Sequence, residues 1–277
     1  NFNTDQLVGI EINYINWSYF YMKICVLVKQ VPNEDAVIKI APDGNGIIED
    51  NLTFCTNEPD TYTLEEALQM KEKYTESEVV VCTLGKNSAS QILKEALAKG
   101  ADRAILINDD TKYNDALSAA KVIANVLSKE SFDLILSGLQ SDDDGHGQIG
   151  LLLAELLDMT HASLVVGTEI IDKKIRVKKE LENGWFQWAE MELPASISIQ
   201  SGLNKPRYAS LKGIMGAKRK PIDNIERSQI EITDADNVKM ENVYLPEKSK
   251  ETHYIEGDTD EIVTEIIKVL KDDIKAI

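Results

Sequence analysis

Short, continuous apolar runs alternate with helical stretches through the first half of the chain. Residues 24–28, 78–83, 104–107 and 133–137 each read as a strand, because a short unbroken apolar run between polar flanks suits a strand buried on both faces. Between them, residues 60–73, 88–99, 114–127 and 148–157 carry apolar side chains at helical spacing. Leu64, Ala67, Leu68 and Lys71 share one side of the first helix. Ile92, Leu93, Ala96 and Leu97 share one side of the second, which Gly100 stops. Asp60 is the expected N-cap of the first helix, with Glu65 and Glu66 near the positive end of its dipole. This alternation predicts an α/β domain built on a parallel sheet covered on both faces, with right-handed crossovers.

After Ala162 the rhythm changes. Residues 163–171, 174–180, 185–192 and 195–199 read as strands joined by turns at 172–173 and 182–184, an antiparallel hairpin excursion that returns to the sheet. A further hairpin is expected where 37–40 and 47–49 flank the turn-rich residues 42–46. Residues 202–220 are polar, basic and glycine-containing, and 221–251 carry little periodicity. Residues 258–274 close the chain with a helix whose Ile262, Ile266, Val269 and Leu270 form one face. A terminal arm of this kind docks either on another subunit or back on its own domain. Residues 1–21 are aromatic and Asn-rich, without the basic start or small-residue cleavage site of a signal peptide. They are expected to be an extension, with Met22 as the natural start. The expected division is 1–21 extension, 22–222 main domain and 223–277 C-terminal arm.

Composition narrows the class. The 277 residues are 43% hydrophobic, enough for a sizeable core, and no apolar run reaches the ~18 residues that a membrane helix needs. A formal net charge of -17 argues against nucleic acid as a partner, since phosphate binding needs a basic footprint. It leaves either a solvated acidic surface or one that steers basic partners. The three cysteines, Cys25, Cys55 and Cys82, form no C-x-x-C pair. Cys25 and Cys82 lie in apolar runs and read as buried thiols of a reducing, cytoplasmic protein.

The candidate chemistry lies in Ser137, Gly138, Leu139, Gln140, Ser141, Asp142, Asp143, Asp144, Gly145, His146, Gly147, Gln148, Ile149 and Gly150, between a strand and a helix. Doubly wound sheets bind ligands outside the carboxyl ends of their strands, where the strand order switches. Small residues let the backbone approach a ligand, and amides at a helix start donate to phosphate. The three aspartates repel phosphate. They can instead accept bonds from ribose hydroxyls, cap the helix through Asp144, or lie outside the pocket. Two readings stand on spacing alone: a nucleotide loop and a solvated acidic loop. Asp142, Asp144 and His146 alternate as metal ligands do, but the rest of a calcium loop is missing and no metal is expected. There is no P-loop and no G-x-S-x-G elbow. A full G-x-G-x-x-G is missing after the first strand, where Lys29-Gln30-Val31-Pro32 stands instead. The pattern is that of a nucleotide fold without an obvious catalytic apparatus.

Several longer segments resemble the beta subunit of electron-transfer flavoproteins. They are Lys29-Gln30-Val31-Pro32, Asn57-Glu58-Pro59-Asp60 with Leu64-Glu65-Glu66-Ala67-Leu68, and Ala96-Leu97-Ala98-Lys99-Gly100-Ala101-Asp102-Arg103. Gly138-Leu139-Gln140 through Gln148-Ile149-Gly150 is similar to the family's main nucleotide loop, and Val177-Lys178-Lys179-Glu180 with Leu193-Pro194-Ala195 to its signature region. Asn204-Lys205-Pro206-Arg207-Tyr208-Ala209-Ser210-Leu211 through Met215 resembles its partner-recognition loop. The resemblance spans about residues 22–222 and implies an adenine-nucleotide alpha-hydrolase-like (Rossmann-like) domain. It implies an electron carrier rather than an enzyme, paired with an alpha subunit that holds most of the redox FAD.

On the same grounds this chain's own site is expected to hold AMP among Leu27, Asn57, Glu58, Pro59, Asp60, Leu84 and the loop from Gly138 to Ile149. Electron-bifurcating members hold a second FAD there and carry an Asp-Gly-Asp-Thr run. Asp142-Asp143-Asp144-Gly145 resembles the triple-aspartate loop of AMP-holding members more closely, although His146-Gly147 departs from the family and the Lys29–Pro32 run is common among anaerobic members. AMP is therefore expected, with FAD as the alternative. Arg207, Leu211 and Met215 are expected to dock an acyl-CoA dehydrogenase-type or other flavin dehydrogenase, with basic Lys218-Arg219-Lys220 beside them. Glu180 is expected to contact the alpha subunit. A stand-alone nucleotide-binding regulator is the remaining alternative.

Overall fold

The apolar runs become the centre of a sheet. The computed structural model describes residues 21–74, 76–171, 173–232, 238–246 and 252–276. The 1–20 part of the expected extension and Asp172 of the expected 172–173 turn lie outside the described residues. Two compact units separate. One runs to Lys39 and resumes over Ile48–Glu241; the other combines Ile40–Ile47 with the chain from Asn242 on.

In the larger unit the strands are β1 (Lys23–Leu27), β2 (Gln30–Pro32), β3 (Phe54–Thr56), β4 (Glu78–Gly85), β5 (Arg103–Asn108), β6 (Leu134–Gly138), β7 (Thr160–Ile171), β8 (Lys174–Glu180), β9 (Phe186–Glu192), β10 (Ala195–Ile199) and β11 (Ile222–Glu226). Its helices are α1 (Glu58–Lys73), α2 (Ser90–Lys99), α3 (Ala116–Leu127), α4 (Ile149–Leu156) and α5 (Leu211–Ala217). Nine strands form one sheet in the order β11-β5-β4-β1-β6-β10-β7-β8-β9. The first seven in that order are mutually parallel, and β8 and β9 continue the sheet antiparallel. The predicted parallel sheet with an antiparallel excursion is thus present. β2 and β3 pair separately as a short antiparallel ribbon.

Alternation along each central strand sends side chains to two cores. Ile24 and Val26 of β1 join Leu64, Leu68, Ile92 and Leu93 of α1 and α2 on one face. Cys25 and Leu27 join Val122, Ile123 and Leu153 of α3 and α4 on the other. Cys25 and Cys82 are buried free thiols, as their apolar context predicts, and burial pushes the Cys82 thiol up to about 12.

Three local expectations fail for long-range reasons. Asp60 is not the N-cap of α1; that position is Asn57, and Asp60 lies within the first turn. Glu65 and Glu66 lie beyond the first turn, because α1 begins at Glu58 and its first-turn acids are Glu58 and Asp60; both are buried. Glu66 accepts a bond from Asn204 Nδ2 (3.1 Å). The stretch after Pro221, which carries no clear period, opens with β11, which pairs along β5 from Ile222↔Ala104 to Glu226↔Asn108. The sheet therefore continues past residue 222.

In the smaller unit the expected hairpin around residues 42–46 is reduced to a single bridge, Ile40↔Ile47. Helix α6 (Thr259–Lys268) is capped by Asp258, whose side chain accepts from the amides of Asp260 and Glu261. A π-helical turn over Val269–Asp273 follows it. None of its residues is buried, and Val263, Ile266 and Ile267 are exposed apolar side chains.

Candidate functional site

Strand order locates the site. From β1 the chain moves outward to β4 and β5, then returns to place β6 on the other side of β1. The switch in direction falls between β1 and β6, and the crevice beyond their carboxyl ends is where such sheets take ligands. The segments after these two strands are Val28–Lys29 and the loop from Leu139 to Gln148.

The loop is held by the start of α1. Asn57 Nδ2 donates to the Gln140 carbonyl (3.0 Å), and Asn57 Oδ1 accepts the Asp142 amide (2.9 Å). Asp60 spans the crevice floor: Oδ2 accepts the Lys29 amide (2.7 Å) and Oδ1 accepts the Gly138 amide (3.1 Å). Burial pushes the Asp60 carboxyl up to about 7, against the opposing pull of the Lys29 amide, the Asn57 side chain and the Gly138 amide. Gly138 is required here, because a Cβ would overlap Asp60 Oδ1 and lie 2.8 Å from Pro59 Cβ. Asn57 and Asp60, expected beside the ligand, are both buried and tie the loop to the start of α1.

The three aspartates are occupied within the protein. The Asp142 carboxylate accepts the Glu58 amide at the start of α1 (3.1 Å). Lys29 Nζ donates to Asp143 Oδ1 (2.7 Å), Asp144 Oδ2 (2.7 Å) and Ser141 Oγ (3.3 Å). Burial works against the Lys29 ammonium, but Asp143 and Asp144 outweigh it and hold its pKa above the ordinary value. Burial likewise raises Asp143, and Lys29 overrides that to leave it below the usual carboxylate value. Asp144 is therefore no helix cap: α4 begins at Ile149 with Gln148 in the cap position. Gly145 (φ 65°) and Gly147 (φ 62°) turn the chain through the left-handed region, which glycine adopts without strain. Gln140, Gly145, His146 and Gln148 are exposed.

The apolar candidates gather on one side. Leu27, Leu84 and Ile149 belong to the core cluster on the α3–α4 face, at the ends of β1 and β4 and the start of α4. Leu27 is buried in that cluster, and Leu84 and Ile149 are partly buried against it. Sequence reasoning missed Lys29 as a site residue. Its sequence signals are a cation just beyond an apolar strand and its place in the Lys29-Gln30-Val31-Pro32 run, neither of which names its partners.

The chain matches the model of the electron transfer flavoprotein domain over residues 45–230. It is 36% identical over 262 residues to the electron transfer flavoprotein subunit beta of Methylophilus methylotrophus, covering 91% of this chain and 98% of that one. The chain belongs to the electron transfer flavoprotein beta-subunit family. The Bacillus subtilis subunit beta is 33% identical over 261 residues, covering 92% of this chain and 100% of its own. A protein named caffeyl-CoA reductase-Etf complex subunit CarD, from Acetobacterium woodii, is 36% identical over 204 residues, covering 73% and 77%. Membership removes the ground for a stand-alone regulator and makes this a flavoprotein subunit of electron transport. Among the described residues no helix is long and apolar enough to cross a membrane.

The segment between β10 and β11 starts beside the crevice, where Ser201 Oγ donates to Glu58 Oε2 (3.5 Å), and leads to α5, which packs on α2. Leu211 (76% exposed) and Met215 (66%) present apolar side chains on α5, with Tyr208 and Ile214 exposed nearby. Ser210 caps α5 by accepting the Gly213 amide (3.0 Å). Arg207 turns inward to Glu65 and Glu72 of α1. Lys218 and Arg219 are exposed, whereas Lys220 Nζ donates to the Leu97 (3.0 Å) and Ala101 (2.5 Å) carbonyls at the end of α2. Glu180, at the end of β8, is half-buried and accepts a bond from Gln200 Nε2 (3.2 Å).

Proposed function

We propose that the chain is the electron-carrier subunit that binds one adenine nucleotide, AMP, in the β1–β6 crevice, pairs with an alpha subunit holding the FAD, and docks partner dehydrogenases. The observation that carries the nucleotide reading is the glycine-turned loop at the strand-order switch, with apolar Leu27, Leu84 and Ile149 at the adjoining ends of β1, β4 and α4. The residues fit such a ligand. In this reading the base lies against Leu84 and Ile149, the loop and the start of α4 face the phosphate, and Asn57 and Asp60 hold the loop to α1 and β1.

The flavin supplies the redox chemistry. This chain's residues bind and position, with no acid–base pair of their own assigned to the reaction. The Asn204–Met215 segment offers Leu211 and Met215 as apolar anchors inside a polar rim to an acyl-CoA dehydrogenase-type or other flavin dehydrogenase. Glu180 and the exposed apolar residues of α6 meet the alpha subunit.

A second reading, with FAD replacing AMP in this chain, draws support from the similarity to the caffeyl-CoA reductase-Etf complex subunit. The Asp142-Asp143-Asp144 run favours AMP. The test is co-purification of both subunits followed by release and mass analysis of bound nucleotide. AMP with one FAD per heterodimer supports the first reading, two FAD support the second, and a heterodimer free of any nucleotide but one FAD rejects a ligand in this chain.

A further inference from the structure

We propose that Lys29 is a specificity residue of the β1–β6 crevice: by offsetting part of the loop's negative charge it lets the crevice take a phosphate-bearing nucleotide that the uncompensated loop would repel more strongly than it repels the neutral nucleoside. The inference rests on the nucleotide reading above and asks what selects the charge of the ligand.

From Gly138 to Ile149 the loop carries three carboxylates and no lysine or arginine. A site made of this loop alone would repel a phosphate. Asp142 is partly answered by the Glu58 amide (3.1 Å), which leaves Asp143 and Asp144. An ammonium has three N–H donors, and Lys29 spends one each on Asp143 Oδ1 (2.7 Å), Asp144 Oδ2 (2.7 Å) and Ser141 Oγ (3.3 Å). The same residue's backbone amide is fixed by Asp60 (2.7 Å), so the cation is held at the crevice from its main chain outward. Its side chain is 38% exposed, and those of Asp143 and Asp144 are 29% and 43% exposed. The group is thus open to solvent at the mouth where the phosphate would arrive. Lys29 reaches from the β1 side to Asp143 and Asp144 on the β6 side, while Asp60 and Glu58 come from the start of α1, so Lys29 is the cation that meets the loop carboxylates.

The experiment titrates AMP and adenosine separately into the nucleotide-depleted heterodimer. Wild type is compared with Lys29→Met, Lys29→Arg and the triple variant Lys29→Met/Asp143→Asn/Asp144→Asn. Uncompensated like charge at the site should weaken AMP about tenfold or more in Lys29→Met, with adenosine changed less than about twofold. Lys29→Arg keeps the charge and should keep AMP binding, and the triple variant should recover it. AMP binding unchanged in Lys29→Met would overturn the inference while leaving the nucleotide reading intact. An equal loss of AMP and adenosine, with no recovery in the triple variant, would make Lys29 a loop brace only and also overturn it. A wild-type heterodimer that binds neither ligand would reject the nucleotide reading, and this inference with it.

Discussion

Arg207 grips Glu65 across 142 positions of sequence: Nε lies 2.8 Å from Oε2 and Nη2 lies 3.0 Å from Oε1. The Arg207 amide adds a third bond to Oε2 (3.1 Å), and Glu72 takes the outer edge of the guanidinium (2.5 Å). Burial raises the Glu65 carboxyl, but Arg207 and Gln69 outweigh it and leave its pKa below the ordinary value. Arg207 is thus a tether of the segment that follows it.

Arg207→Met leaves a carboxylate that is only 6% exposed without its cation. The expected loss is about 2–3 kcal/mol, below the range for a fully buried pair because Arg207 keeps some contact with water. The pH dependence has a definite sign. A depressed carboxylate contributes stability above its unfolded value near 4.5 and loses it as pH falls below that. Denaturant melts between pH 3 and 7 should show a steeper acid-side loss in wild type than in the variant. Parallel curves would remove the ion pair from the account.

Gly138→Ala should disturb the crevice directly. The new methyl overlaps Asp60 Oδ1 and presses Pro59, so α1 must retreat from the end of β6. Overpacking of this kind costs about 1–3 kcal/mol. Amide exchange should quicken at Lys29 and Gly138, whose N–H groups Asp60 holds. A variant with wild-type melting and exchange would show that the contact yields freely.

Leu211→Ala tests docking. Leu211 is 76% exposed, so heterodimer melting should stay within about 0.5 kcal/mol of wild type. Affinity for a partner dehydrogenase should fall roughly thirtyfold, the equivalent of ~2 kcal/mol at an interface centre. Unchanged affinity would refute the anchor role, and a collapse of the heterodimer would make Leu211 part of the intersubunit packing.

Glu180→Gln should leave folding stability almost untouched, since a half-exposed polar pair contributes only about 0.2–1 kcal/mol. Its bond from Gln200 (3.2 Å) is one a glutamine oxygen can replace. If the charge meets the alpha subunit, electron transfer to a partner should slow while melting does not move. Stopped-flow rates equal to wild type would count against the contact.

The sequence made the inner strands legible because they are buried on both faces and largely apolar, as in the run 104–107 of β5. Strand β11 escaped because it is an edge: only Ile222 and Ile225 face protein, while Asp223, Asn224 and Glu226 are exposed. Helix α5 escaped because seven residues with two glycines carry no readable period. Asp60 was misread by a local capping rule, when its true partners are 31 and 78 positions away. Lys29 shows the same limit: a lysine beside a strand has no meaning until the fold brings Asp143, 114 positions on, within reach.

The strand order also sets when the sheet can be finished. β10 fills the gap between β6 and β7 although it follows both in the chain, and β11 covers the outer edge of β5 from more than a hundred positions away. As the chain leaves the ribosome, β5 keeps a bare row of amides and carbonyls until residue 226 has emerged. Pairings this distant form late, and bare strand edges recruit other chains. A fragment ending before Ile222 retains every residue of the β1–β6 crevice yet exposes that edge. Aggregation of such a fragment would report an unfinished sheet and say nothing against the ligand site.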